Sequence, residues 1–456
     1  MNTQRFRTAV DSLFRPIDIA SLVYLRVVFG LVMLWEVWRY FDHNRIYRYW
    51  IEPEVHFTYA GLDWLAPLPG EGMPWLFFGL GILSLLIIVG LFYRVATVAF
   101  FFGFLYMFLL EQGQYLNHFY FVCLLSFLMI FVPANQCCSL DTRLGITRPT
   151  DTAPAWSLWI VRFQVGIVYF FGGIAKMNGD WLAGEPLRDW LEGRSHYPII
   201  GDFLSLEPIV MAMAWGGTLF DLLIPFFLLY RPTRMPSFIV VIAFHVTNAI
   251  LWNIGIFPWL TIALSAIFFD PSWPRRFFRL PRYRKKSTEP TGWFRRLAFT
   301  GIAIYAAVQI LVPLRHWVYP GDVKWTEEGH RFAWRMKLRS RDGRTELFVQ
   351  EKGTQQTEHV DLREYLLPWQ IDEMATRPDM LLFFAKYLKR DLLEKRGKIY
   401  SVHAHSFISV NGRAEQVYFS SDWDLAEISR FARRSEWMYP FQNTPLPMEA
   451  GTIALD

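Results

Sequence analysis

Cysteine and charge are both scarce in this chain. Its 456 residues include three cysteines, Cys123 and the adjacent pair Cys137 and Cys138. So few exclude a disulfide framework, and adjacent cysteines lack the spacing of zinc ligands. The pair points instead to thiols on a reducing face. Charged residues make up 19% of the chain, against about 25% in an ordinary soluble domain. No internal repeat and no low-complexity tract is visible, which removes solenoids and linker-rich arrays. No nucleic-acid partner and no metal are expected.

What fills the space is apolar: 53% of residues are hydrophobic and 18% aromatic. They gather in blocks of about 20, the length that crosses a hydrocarbon core. Blocks fall near Ile19–Trp38, Trp75–Leu91, Val95–Leu110, Leu116–Val132 and Ala155–Ala175. They continue near Val210–Leu229, Ser237–Leu251, Phe257–Phe269 and Phe294–Leu314. The fold class expected is a polytopic α-helical membrane protein with about nine spans, followed by a small extracytoplasmic α+β domain. The lipid bilayer is its first partner. Met1–Asp18 is polar and the first apolar block is long enough to remain in the membrane, so no cleaved leader is expected.

Net charge is +5, and its placement says more than its sum. Arg5, Arg7 and Arg15, Arg94, Arg143 and Arg148, and Arg231 and Arg234 sit at alternate connections. The segment Arg275–Arg296 holds nine Lys or Arg and one Glu. By the positive-inside rule these connections are cytoplasmic, which puts the N-terminus inside and the C-terminus outside. The basic segment is first a topology signal, and second a candidate site for anionic lipid.

Character changes after Pro313, which divides the chain into a membrane part (1–314) and an outer part (315–456). In the outer part RFAWRMKLRSRDGRTELFVQEKG reads as two strands turning at Asp342-Gly343. KIYSVHAHSFISVNGRAEQVYFSS reads as a hairpin turning at Asn411-Gly412. Between them MLLFFAKYLKRDLLEKRG has helical periodicity.

Polar residues inside spans are costly and often functional. Lys176 follows the cytoplasmic start of the fifth span by about 20 residues, which at ~1.5 Å each puts it near the outer face. It either snorkels to water or serves as a base kept neutral by Phe170, Phe171, Met177 and Trp181. Asn117-His118 opens the fourth span at the same face, as a helix cap and interfacial histidine or as part of a site. His245 and Asn248 share one face of the seventh span. Arg162 and Asp221 read as structural partners within the membrane. An aromatic pocket at the depth of Lys176 suits a flat, lipophilic quinone.

At this point the segments form a pattern. IVYFFGGIAKMNGDW resembles the lysine segment of the vitamin K-dependent γ-glutamyl carboxylases. LNHFYFVCLL, FHVTNAILWNIGIF, the PSWPRR run and RDGRTE are similar to that family as well, in the same order, from the first span to about residue 445. The resemblance implies that Lys176 deprotonates reduced vitamin K, and that O2 then gives the epoxide and a strong base. That base would remove a γ-proton from a glutamyl side chain, whose carbanion takes up CO2. It implies that Asn117 and His118 stabilise the oxygenated quinone, with His245 supporting and Phe257 lining the pocket. Asn248, one turn from His245, joins that pocket. The partners implied are a lipophilic quinone and a glutamyl protein or peptide.

The family's glutamate-binding segment has a tyrosine and a serine before its tryptophan. Here HRFAWRMKLRSR keeps Trp334 but has His330 and Ala333 in their place. Trp334, Arg335 and Arg339 are therefore the glutamate-binding candidates. The cysteines joining the two parts in animal members have no counterparts. A bacterial inner-membrane member fits these departures, with its outer domain in the periplasm. Two other readings remain open: a haem-binding electron-transfer protein using His118 and His245, and a lipid-handling or transport protein in which Lys176 holds an anionic headgroup.

Overall fold

The structure is a computed structural model that describes residues 3–198, 200–283 and 292–446. Its apolar helices, numbered in chain order, are α1 (Ala20–Asp42), α2 (Gly72–Val89), α3 (Tyr93–Leu110) and α4 (Asn117–Phe131). They continue as α5 (Trp156–Lys176), α6 (Glu207–Leu229), α7 (Arg234–Trp252), α8 (Phe257–Ser265) and α9 (Gly292–Leu314). Seven of them are long and apolar enough to cross a membrane. The other two, α4 and α8, stand at the fourth and eighth of the nine expected spans. The 15 residues of α4 reach about 22 Å, short of a ~30 Å hydrocarbon core. By length the count is therefore seven, with two shorter apolar helices among the described residues.

α5 is the axis of the bundle. Its span is 72% buried, and it packs against α6 along its length and also against α1, α4, α8 and α9. Arg162 is not a partner of Asp221. Its guanidinium donates to the carbonyls of Ile267 (2.9 Å) and Phe269 (2.7 Å), which serve the backbone just after α8. Part of the basic segment is structural too: Arg275 pairs with Asp18 at 2.8 Å and Asp151 at 3.3 Å. Residues 284–291 of that segment lie outside the described residues.

The outer part is α+β. Its strands are β1 (Arg341–Glu351), β2 (Thr357–Val360), β3 (Tyr400–Val410) and β4 (Gln416–Val417), ordered β2-β1-β3-β4 and all antiparallel. Strand β3 alternates strictly, with Tyr400, Val402, Ala404, Ile408 and Val410 buried on one face. They share a core with Leu381, Phe384, Ala385 and Leu388 of α11 (Pro378–Arg396), which follows the short α10 (Pro368–Ala375). That period of two is what a sheet with one covered face requires.

The turn expected at Asn411-Gly412 forms, both residues taking positive φ (54° and 74°). The one expected at Asp342-Gly343 does not. Both residues lie inside β1, opposite Ser409 and Ile408. A Cβ on Gly343 would stand 3.0 Å from the Ala375 carbonyl oxygen, so this glycine lets α10 end against the strand rather than turning the chain. The preceding stretch is not a strand. Phe332, Trp334 and Lys337 hold left-handed backbone (φ 61°, 58° and 48°), a conformation costly for such side chains and held only by firm surroundings.

Those surroundings are the membrane bundle. Trp334 packs in the helical core, and its ring lies 4.9 Å from that of Tyr120 and 6.2 Å from that of Phe121. Elsewhere Gln370 donates to the Val55 carbonyl at 2.7 Å, and Arg377 to those of Gln112 and Gly113 at 3.1 and 2.9 Å. Four residues past Lys176, buried Asp180 accepts from both terminal nitrogens of Arg413 (2.8 Å each), from Asn411 (2.7 Å) and from Lys324 (3.1 Å). The outer domain is thus tied to the segment that carries Lys176.

Candidate active site

Gly172 and Gly173 lie one turn before Lys176 on α5. A Cβ at Gly172 would meet a carboxylate oxygen of Asp221 at 3.2 Å, and one at Gly173 would meet the Leu222 amide nitrogen at 2.7 Å. The two glycines allow α5 and α6 to approach closely, which brings Asp221 to Lys176. The ammonium and carboxylate form an ion pair whose side chains are 12% and 7% exposed. The Lys176 nitrogen also stands 5.5 Å from the Trp181 ring centre and 5.9 Å from that of Phe244.

This corrects the surroundings expected for Lys176. Phe170 meets Phe171 and Phe226 edge-on, the rings nearest the amine are those of Trp181 and Phe244, and Met177 is exposed. Of the expected apolar neighbours Trp181 is in place, and a carboxylate joins it. A lysine–aspartate pair has two neutral-sum forms, ammonium with carboxylate and amine with carboxylic acid, related by moving one proton along the hydrogen bond. The amine becomes a base when Asp221 holds that proton.

The pair opens on a cavity of about 240 Å³ whose walls are mostly apolar. Asn117, His118, Lys176, His245, Asn248 and Phe257 all line it. The Phe257 ring lies 6.1 Å from that of His118 and 5.9 Å from that of His245. Four helices therefore deliver the expected membrane residues to one place. Asn117 is not a cap: Leu116 holds that position. Its amide accepts from the Tyr115 hydroxyl at 3.0 Å and donates to the Arg335 carbonyl at 3.2 Å. The ring of His118 has no hydrogen-bond partner among the described residues and faces the cavity beside Phe119.

His245 Nε2 meets the Tyr169 hydroxyl at 2.8 Å, which also lies 3.3 Å from Ser265 Oγ. Ser265 donates to the Thr261 carbonyl at 2.8 Å, so its oxygen is left to accept. The Tyr169 hydroxyl thus links Ser265 to His245 Nε2. That nitrogen is unavailable as an axial ligand, and His245 Nδ1 is buried without a partner. Among the described residues no three His, Cys, Asp or Glu side chains form a metal-ligating group.

The glutamate-binding candidates separate. Trp334 is fully buried and lines neither this cavity nor the cleft beside it. Arg335 and Arg339 line a cationic cleft beside the cavity, with His330, and Lys337 borders both spaces. Arg339 pairs with Glu327 and donates to His330 Nδ1 at 2.9 Å. Burial, reinforced by the surrounding arginines, pushes His330 well below the usual histidine range, and it is neutral with its proton on Nε2. Burial also brings Arg339 down to about 10. Desolvation would raise Glu327, but Arg339 and Arg341 outweigh it and hold its carboxyl below the usual range.

Sequence reasoning placed Asp221 only as a structural residue and passed over Tyr169. A signal for Tyr169 was present: it precedes Lys176 by two helical turns on the same face. Lys337 carried no such signal, since its place depends on the irregular segment 331–340.

Both parts of the chain match known families. The HTTM domain family matches residues 14–273, more than half of the chain. The vitamin K-dependent gamma-carboxylase lumenal domain matches residues 294–444, which cover most of the outer part. No solved structure matches. The two matches, a membrane HTTM domain followed by a lumenal carboxylase domain, place the chain in the vitamin K-dependent γ-carboxylase family of HTTM-domain proteins.

Proposed function

We propose that this protein is an integral-membrane vitamin K epoxidase with γ-glutamyl carboxylase chemistry, its outer domain facing away from the cytoplasm. The observation that carries the reading is the convergence of Lys176, Asn117, His118, His245 and Phe257 on one apolar cavity. An apolar cavity with a few convergent polar groups is the usual form of a small-molecule site. It suits a flat ring bearing two oxygens, and a paired amine and carboxyl are what such a ring's hydroxyl needs as a proton acceptor. Reduced vitamin K with O2 supplies a strong base as it becomes the epoxide, and CO2 replaces the proton which that base removes.

The roles of the chain's own groups follow. Lys176 takes the hydroxyl proton of the bound quinol, with Asp221 receiving or returning the lysine's own proton. Asn117 and His118 present hydrogen-bonding groups to charge that develops on the ring oxygen. The Tyr169–His245–Ser265 chain fixes the far wall. Arg335, Arg339 and Lys337 give the adjoining cleft the charge to hold a carboxylate beside the cavity.

Because charge develops during the reaction, losing Asn117 or His118 should lower kcat rather than quinone affinity. A loss on the order of 10²-fold is expected for one such donor. Steady-state rates of Asn117→Ala and His118→Ala decide this. Weakened binding with unchanged kcat would make these residues plain pocket wall.

Epoxidation should be better preserved than carboxylation. Ala333 offers no hydroxyl, and the Arg339 contact turns the Nδ1 of His330 into an acceptor, so a glutamyl carboxylate loses the serine donor that the family segment provides. One lost hydrogen bond costs about 1–3 kcal/mol, roughly 5- to 150-fold in substrate use. The test is to measure epoxide and labelled-CO2 incorporation together, with reduced vitamin K and O2, with and without a glutamyl peptide. Near-equal yields would contradict the second expectation, and absence of epoxide would contradict the proposed function.

A further inference from the structure

At about 240 Å³, the cavity falls below the ~300–1,000 Å³ typical of small-molecule sites. It has room for a bicyclic head and none for a long tail. A tail must therefore leave it, and among the described residues one apolar groove comes within a ring contact of its wall. On the lipid-facing side of α6 and α7 runs a groove of about 420 Å³, lined by Gly216, Leu219, Phe220, Leu223, Phe227 and Val240 among others. Its wall includes Phe220, whose ring stacks on that of Phe244 with centres 3.9 Å apart and planes at 21°. Phe244 is a wall of the cavity. Phe220 also meets Tyr169, another wall residue, edge-on at 5.7 Å. A ring of the groove wall is thus stacked directly on a ring of the cavity wall.

We infer that this α6–α7 groove holds the prenyl tail of the quinone, and that Phe220 and Phe244 part to let the tail pass between groove and cavity. The identity of the head rests on the proposed function. The place of the tail rests on the groove. The other large apolar groove, between α1 and α2 near Trp38 and Phe78, has no comparable ring contact with a cavity wall among the described residues. Flanking side chains of the α6–α7 groove, Leu219, Leu223, Phe227 and Val240, are exposed. Aliphatic tail carbons laid across them bury apolar surface on both partners.

Gly216 provides the test, because a Cβ built there has no heavy atom within 4 Å. The backbone at 216 therefore accepts a side chain, and a tryptophan there adds bulk to the groove that Gly216 lines. Gly79 on α2 is equally open and provides the control. The full-length protein in nanodiscs is titrated with 2-methyl-1,4-naphthoquinone bearing either no tail or a geranylgeranyl tail, and turnover of the reduced forms is followed in parallel. Wild type and Gly79→Trp should prefer the tailed compound. In Gly216→Trp that preference should fall at least ~10-fold, as expected when even one methylene loses its pocket. An unchanged preference in Gly216→Trp overturns the inference. So does an equal loss for both compounds, which would mean that the groove shapes the cavity without holding a tail. Wild type with no preference for the tail would leave bilayer lipid as the occupant and overturns it too. If binding follows the expected pattern but no epoxide forms, the groove stands and the proposed function falls.

Discussion

Replacing Lys176 with alanine should abolish quinone epoxidation while leaving the protein folded in the membrane. The lysine is the cavity's proton acceptor in the proposed chemistry, and a positioned general base contributes about 10²–10⁴-fold. The ion partner left behind, Asp221, can become a neutral carboxylic acid, so the change need not leave a buried charge. Added small amines should restore part of the rate by occupying the vacated space beside Trp181 and Phe244. Epoxide formation is read by chromatography, and folding by the elution profile in detergent. Full activity in the alanine variant would remove Lys176 from the mechanism.

Asp221 should give the second large effect, and its two variants should differ. Asp221→Ala leaves the Lys176 ammonium without its carboxylate in a closed site, and breaking one side of a buried pair typically costs about 3–5 kcal/mol. A lowered thermal transition is expected, together with loss of turnover. Asp221→Asn keeps the shape and one acceptor but cannot receive the lysine's proton. That variant should fold normally and still lose about 10²-fold or more in kcat, with quinone affinity retained. Wild-type turnover in Asp221→Asn would make the carboxylate a structural tie only.

The helical bundle was legible because apolar blocks of membrane length leave little choice of fold. Lys176, Asn117, His118, His245 and Phe257 were legible through the order of segments shared with the carboxylases, and all five line one cavity. Asp221 was visible as an intramembrane charge, yet its partner was not. Helical periodicity reports which residues share a face, and it is silent on how closely two helices pack. Here the closeness comes from Gly172 and Gly173, which admit Asp221 and Leu222 to α5.

The outer domain failed in one place for a related reason. Asp342-Gly343 has turn chemistry, but Gly343 is required by the approach of Ala375, and pairing with β3 runs straight through it. The stretch before it alternates like a strand, whereas Trp334 is drawn into the bundle against Tyr120 and Phe121. Tertiary burial of one large ring outweighs strand propensity there. That displacement also carries Arg335 and Arg339 to the cleft beside the cavity and Lys337 to the border of both, an outcome no local pattern announces.

The most direct measurement of the central claim uses isotopically labelled oxygen gas. Purified wild-type protein in nanodiscs is incubated with reduced vitamin K under the labelled gas, beside Lys176→Ala, and the quinone products are weighed by mass spectrometry. The account predicts vitamin K epoxide carrying one labelled oxygen atom from the wild type, and none above background from the variant. Absence of labelled epoxide from the wild type, or equal amounts from both proteins, would contradict it.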